Sequence, residues 1–326
     1  MVAVPSKDVQ PEWKRYAKAR SHVLRSAVKY CAPADGLGML GPDFICIGAA
    51  KTGTSWLYDL LRCHPLVWLP PIKEISYFTS HYVAGSREYF RPKRAEQVAA
   101  ARRYWADDGP TPVWRPPWYK ERIEEMRAAI AHLEKDELTD DWYQGIFRFR
   151  SPDQVAGDIS PDYALMPRAG VRHVMALNPH VRILVLLRDP IERLISHGAM
   201  ELRGEMTVEA LRTRLHSPAA ENWRMVSDYG YWLPRWLAAV DPSRIMVEYN
   251  GHIGRAPLAV LEKICRFLGI AYDPGLFPEA GKKVYEGRKP DRVAELAREL
   301  REEFAYLYKN LDRLPETITR GLHEYG

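Results

Sequence analysis

DFICIGAAKTGTSWLYDLL, residues 43–61, passes from an apolar run through a loop of small residues into an amphipathic stretch. Phe44 to Gly48 is apolar and β-branched, which reads as a buried parallel strand. Beyond Thr54 the apolar residues fall at helical spacing, with Trp56, Leu57, Leu60 and Leu61 on one face. A strand that stops at Gly-Ala-Ala-Lys-Thr-Gly-Thr-Ser and resumes as a helix has the layout of a phosphate cradle. Gly53 permits close backbone approach, and amides at the start of the helix point at an anion. Thr52, Thr54 and Ser55 add hydroxyl donors, and Lys51 adds a point charge. The order departs from the Walker loop G-x-x-x-x-G-K-[ST], because Lys51 comes before Gly53. The Gly-Lys-[Ser/Thr] hydroxyl that holds magnesium is therefore missing, and metal-assisted triphosphate chemistry is disfavoured. No metal is expected.

The pattern of strand, turn and helix recurs along the chain. RILVLLRDPIERLISHGAM places a strand at Ile183 to Leu187, a turn at Arg188-Asp189-Pro190, and Pro190 in the first turn of the next helix. DYGYWLPRWLAAV is helical in pattern, SRIMVEY is a third strand, and APLAVLEKICRFLGI is an amphipathic helix closed by Gly269. RVAELARELREEFAYLYKNLDRL reads as one long C-terminal helix, and HPLVWLPPIKEISYF as proline-punctuated extended chain. Strands alternating with helices predict an α/β fold, a central parallel sheet flanked by helices on both faces. No internal repeat or linker divides the chain. The expected organisation is a basic, helical N-terminal extension over residues 1–40 and a single domain over 41–326. That domain carries a tryptophan-rich insert at about 86–150, expected as loops and a charged helix over the core.

Composition narrows the class. The chain has 326 residues, 46% of them hydrophobic, enough for a large core. Its net charge of +5, from 47 basic and 42 acidic residues, suits an anionic ligand but is small for a nucleic-acid-binding protein. Cys31, Cys46, Cys63 and Cys265 form no CxxC pair, so neither zinc nor a disulfide framework is expected, and Cys46 and Cys265 read as buried thiols. No run is long enough to span a membrane and no signal-peptide core is present, so a cytoplasmic location is expected.

On KTGTSWLYDLL the sequence resembles the sulfotransferases that use 3′-phosphoadenosine 5′-phosphosulfate, which share the P-loop nucleotide-hydrolase-like fold. It is most similar to the branch of the heparan sulfate sulfotransferases and their bacterial relatives. The HP…P…KE…F segment of that branch is matched from His64-Pro65 through Lys73-Glu74 to Phe78. LLRDPIERLISHGAM resembles the family's 3′-phosphate site, with Arg188 at a strand end and Ser196 on the following helix. A guanidinium fork suits a terminal phosphate, gripping it bidentately. EGRKP, Glu286 to Pro290, resembles the loop that closes over that phosphate, which implies roles for Gly287, Arg288 and Lys289. GDISPDY, Gly157 to Tyr163, resembles a cleft-lining segment of the family, but Ile159 stands where the heparan branch has a lysine. The C-terminal cysteine pair of those secreted enzymes is also missing. The resemblance runs from about residue 40 to 310.

It implies sulfuryl transfer from the phosphosulfate donor to an acceptor oxygen or nitrogen, leaving adenosine 3′,5′-bisphosphate. Positioning and charge stabilisation dominate such chemistry, by analogy with phosphoryl transfer. The donor would lie on Lys51, Thr52, Gly53, Thr54, Ser55, Trp56, Arg188, Ser196, Gly287, Arg288 and Lys289. Glu74 takes the role of general base, its proton affinity raised by an apolar wall; Lys51 neutralises the leaving phosphate and Lys73 orients the sulfonate. A structural role suits His64 better than a catalytic one, and His197 matches no catalytic position. The tryptophans Trp105, Trp114, Trp118 and Trp142 either pack on the core, the expected role for most, or wall an acceptor site. The acceptor, a small molecule, carbohydrate or natural product, is not legible, nor is the oligomeric state. A nucleotide or small-molecule kinase and a non-catalytic nucleotide-binding protein are the alternatives.

Overall fold

The computed structural model describes residues 41–106, 122–202, 207–281 and 293–325. The expected N-terminal extension, Trp114, Trp118, and the Gly287-Arg288-Lys289 loop lie outside them. Five strands, β1 (Phe44–Cys46), β2 (Val67–Trp68), β3 (Val155–Ile159), β4 (Arg182–Leu187) and β5 (Ile245–Tyr249), form one sheet in the order β2-β3-β1-β4-β5. Every pairing is parallel. The chain leaves β1 toward β2 and leaves β4 toward β5, so the connections diverge between the neighbours β1 and β4. Ligands of open α/β sheets bind outside the carboxyl ends of strands at such a switch point.

Helix α1 (Thr54–Leu61) follows β1. Between β2 and β3 come α2 (Tyr77–Tyr82), α3 (Ser86–Tyr104), α4 (Ile123–Leu133) and α5 (Asp140–Ile146), and α6 (Arg168–Leu177) precedes β4. Next are α7 (Pro190–Glu201), α8 (Val208–His216), α9 (Glu221–Ser227) and α10 (Tyr229–Leu237). After β5 come α11 (Asn250–Arg255), α12 (Pro257–Leu268), α13 (Val293–Glu303), α14 (Ala305–Lys309) and α15 (Glu316–Tyr325). The strands alternate with a period of two. Phe44 and Cys46 face the α1 and α12 side, with Leu57, Leu61, Val260 and Ile264. Ile45 and Ile47 face the opposite layer, with Tyr77, Tyr143, Val174 and Trp232. A third apolar cluster joins Leu194 of α7 and Leu211 of α8 to Leu300 of α13. Cys46, Cys63 and Cys265 are buried free thiols.

Three expectations need correction. The C-terminal segment is not one helix: Phe304 leaves helical geometry at φ −108°, ψ 33° and buries its ring, separating α13 from α14. The stretch expected as extended chain holds only the short strand β2 and ends in helix α2. The insert is richer in helix than expected, with α3, α4 and α5 among its described residues. Trp142 within it is fully buried, its indole donating to His132 O at 3.1 Å.

Candidate active site

Three adjacent strand ends build the site. The β1–β4 ladder continues past β1: Ile47 N donates to Leu184 O at 3.0 Å, and Ala49 N to Leu186 O at 2.8 Å. Lys51 lies two residues beyond Ala49 and Arg188 two beyond Leu186, so both leave neighbouring strands at the same edge of the sheet. On the other side of β1, Ser160 N donates to Cys46 O at 3.1 Å and Glu74 N to Ile159 O at 3.1 Å. Ser76 N donates to Ser160 Oγ at 3.2 Å and Tyr77 N to Tyr163 OH at 3.0 Å. The Lys73-Glu74 segment is thereby pinned to the end of β3.

The cradle has the geometry its glycines require. Gly48 and Gly53 have φ of 112° and 111°. A Cβ on Gly48 would stand 2.4 Å from Pro161 O. Gly53 caps α1 without any side-chain hydrogen bond, so the first-turn amides are not claimed by a cap. Lys51 (φ 72°), Glu74 (φ 67°) and Ser76 (φ 53°) adopt left-handed backbone. Such conformations cost on the order of 1–3 kcal/mol each and cluster at functional sites. Among the described residues five non-glycine positions do so, and three of the five meet here.

The side chains divide into those that build the loop and those that face the cleft. Thr52 is fully buried and its hydroxyl donates to Ala49 O at 2.6 Å, so that proton braces the loop. Trp56 is buried too, its indole donating to Ala280 O at 2.9 Å. Asn250 Nδ2 donates to Thr52 O at 3.1 Å. Thr54 is buried, Ser55 and Ser196 half-buried. Lys51 Nζ rests 3.5 Å from Met200 Sδ on α7. Its pKa is lowered, by burial first and then by the charges of Arg193, Arg188 and Lys73, while Glu74 opposes the shift. Arg188 lends Nη2 to Glu192 Oε2 at 2.9 Å, and its backbone carbonyl accepts from Tyr229 OH at 2.8 Å. Asp189 caps α7, accepting from Ile191 N at 3.1 Å and Glu192 N at 2.9 Å. Lys73 Nζ donates to Glu74 Oε1 at 2.5 Å, so the carboxylate expected against an apolar wall has an ammonium partner.

The sequence reading passed over two features. Arg193 is fully buried, donating to Ser227 Oγ at 2.6 Å, Trp223 O at 2.6 Å and the loop carbonyl Ala50 O at 3.1 Å. Among the described residues no carboxylate pairs with it. Burial, and less strongly Arg188, lowers its pKa to about 10. Its sequence signal was an arginine at a core position of an amphipathic helix. The other feature is a pair of buried carboxyls in the GDISPDY segment. Asp158 accepts from Ser160 Oγ at 2.7 Å and from Tyr143 and Tyr163 hydroxyls at 2.9 Å each. Asp162 accepts from Ser76 Oγ at 3.1 Å. Burial raises them to about 6 and about 7 respectively, with the Glu74 charge adding to both shifts. Ile159, the last residue of β3, is buried on the α1 and α12 side of the sheet.

His64 and His197 are both held by their own neighbours. His64 is enclosed, accepting from Leu66 N at 3.1 Å through Nδ1 and bonding Ala271 O at 2.8 Å through Nε2. Burial lowers its pKa to about 4. His197 stacks on Trp223 at 4.4 Å, and burial, then Arg193 and Lys51, lower it to about 3. Among the described residues no group of three or more His, Cys, Asp or Glu is arranged for a metal, and no helix is long and apolar enough to cross a membrane.

Fold and cradle together define an α/β protein of the P-loop-like class. The chain belongs to the sulfotransferase family, whose profile matches residues 42–274. It is similar to the membrane-associated sulfotransferase kil1 of Dictyostelium discoideum, 26% identical over 166 residues, covering 51% of this chain and 24% of the relative. The chain thus spans about a quarter of that relative's length. Its fold is that of a sulfotransferase from Alicyclobacillus acidocaldarius, with TM-score 0.55, 22% identity, and coverage of 87% of this chain and 98% of the other. The sulfotransferase domain of the Synechococcus PCC 7002 olefin synthase is similar at TM-score 0.50 and 17% identity, covering 82% and 95%.

Proposed function

We propose that the chain transfers a sulfuryl group from 3′-phosphoadenosine 5′-phosphosulfate to a hydroxyl or amine, releasing adenosine 3′,5′-bisphosphate. The observation that carries this reading is the convergence of Lys51 from beyond β1, Arg188 from the end of β4, and Glu74 from the segment bonded to the end of β3. The uncapped amides of α1 and the Lys51 ammonium suit the 5′-phosphosulfate. Arg188 and Ser196, from β4 and α7, suit the 3′-phosphate, for which the guanidinium exchanges the Glu192 carboxylate. Gly287, Arg288 and Lys289 belong to the same proposed donor site.

In the transfer, the sulfur–oxygen bond to the 5′-phosphate breaks as the acceptor oxygen bonds to sulfur, and the acceptor proton passes to Glu74. Lys51 neutralises charge on the departing phosphate. Lys73 holds the Glu74 carboxylate and adds its own positive charge beside Lys51. His197 is stacked on Trp223, whereas Glu74 belongs to the segment pinned to the end of β3, and the base role is given to Glu74. Glu74→Gln is expected to leave bisphosphate affinity within about threefold and to lower transfer at least 100-fold, the size of a general-base contribution. Assay of labelled sulfonate transfer checks this, and normal transfer by the variant removes Glu74 from the mechanism.

A further inference from the structure

A cavity of about 340 Å³ lies beside the proposed reaction centre, between α1, α3 and the proline-rich segment 69–73. Pro70, Ile72 and Met126 give it apolar walls, and Tyr58, Tyr104 and Trp105 give it aromatic ones. Lys73 also lines it, and the same ammonium holds Glu74 Oε1 at 2.5 Å. The cavity therefore ends one side chain away from the proposed base. Of its cations, Arg62 pairs through Nη2 with Asp59 at 3.3 Å but keeps a buried Nε without a hydrogen bond, Lys73 pairs with Glu74, and Arg122 holds the carbonyls of Val67 and Pro65. Gln97 Oε1, a buried acceptor at the wall, makes no hydrogen bond. Buried polar groups without partners are rare and costly, and a ligand N–H or O–H satisfies this one.

We propose that this cavity seats the acceptor, and that the acceptor is a planar phenol carrying a second hydrogen-bond donor. Its aromatic rings match the walls of tyrosine, tryptophan and proline. Its reactive hydroxyl meets the Lys73–Glu74 pair, and the second donor meets Gln97. The assignment rests on the sulfuryl-transfer reading above.

Calorimetry on the full chain saturated with adenosine 3′,5′-bisphosphate compares 1,5-dihydroxynaphthalene with 1-naphthol, and labelled-sulfonate assays then measure transfer to each. The dihydroxy compound is expected to bind at least fivefold more tightly and to be sulfated at lower KM. Gln97→Leu is expected to erase that preference. Ala100→Trp, at an exposed wall position, is expected to weaken both phenols at least tenfold while bisphosphate affinity stays within twofold. Unchanged phenol binding by Ala100→Trp, a preference that survives Gln97→Leu, or transfer to charged oligosaccharides or saturated alcohols alone overturns the assignment. Failure of the unaltered chain to bind the bisphosphate overturns instead the functional reading on which it rests.

Discussion

Lys51 combines a strained backbone, at φ 72°, with an ammonium whose charge is disfavoured by burial and by three neighbouring cations. An anion bound to it relieves both the repulsion and the desolvation, so binding draws on the protonated form. Because the pKa lies below the ordinary lysine value, affinity for adenosine 3′,5′-bisphosphate should fall as pH rises, starting at lower pH than an unperturbed lysine would allow. Lys51→Arg, which does not titrate there, should flatten that profile. Lys51→Ala should weaken binding roughly 10- to 100-fold, the size of a charge-assisted hydrogen bond. Calorimetric titrations from pH 7 to 10 check all three. His64 and His197 bear on stability with the opposite proton balance. Their folded pKa values, about 4 and about 3, lie below the ordinary 6.5. The stability they contribute is complete above pH 6.5 and is lost as pH falls through that window.

Between residue and molecule, α7 connects the two phosphate positions. Arg188 and Ser196 flank or lie on it, and Arg193 reaches from its buried face to Ala50 O in the cradle. A buried guanidinium whose partners are all neutral is costly, and here it braces the loop from behind. Arg193→Met should lower stability on the order of 3 kcal/mol, one buried hydrogen bond for each of three abandoned acceptors. It should raise KM for the donor more than tenfold while KM for the acceptor holds, with partial recovery in Arg193→Lys. Equal loss in both KM values, without rescue, contradicts the clasp. At this scale the sequence was most legible where period and punctuation agreed. The strand starting at Phe44, which ends at Cys46 two residues short of the expected Gly48, the Asp189-Pro190 start of α7 and the Gly269 stop of α12 were legible. β3 escaped notice because VAGDI carries glycine and aspartate, residues that strands normally exclude. Gly157 is there because the Phe44 ring packs where a Cβ would lie, at 2.1 Å. Asp158 is there because two tyrosines and a serine satisfy it. Phe44 and Tyr143, which decide these positions together with the nearby Ser160 and Tyr163, lie on other elements.

For the whole molecule, the order β2-β3-β1-β4-β5 sets the end of β1 between those of β3 and β4. The loop, the Lys73-Glu74 segment and the Arg188 turn are far apart in sequence and share one edge of the sheet for that reason alone. The motifs named the residues, while the sheet order, invisible in the chain, brought them together. The α/β fold was legible from alternation. The Arg193 clasp and the buried carboxyls were not, since they depend on contacts across elements. The central claim is that Lys51 and Arg188 flank one nucleotide, gripping a 5′ group and a 3′-phosphate from neighbouring strands. Calorimetric titration of the full chain and of Arg188→Ala with adenosine 3′,5′-bisphosphate and adenosine 5′-monophosphate tests it most directly. The account predicts that the unaltered chain prefers the bisphosphate at least tenfold and that Arg188→Ala removes the preference while leaving monophosphate affinity within about threefold, in line with a lost charge-assisted contact. Equal affinity for the two nucleotides, or a preference that survives in Arg188→Ala, contradicts it.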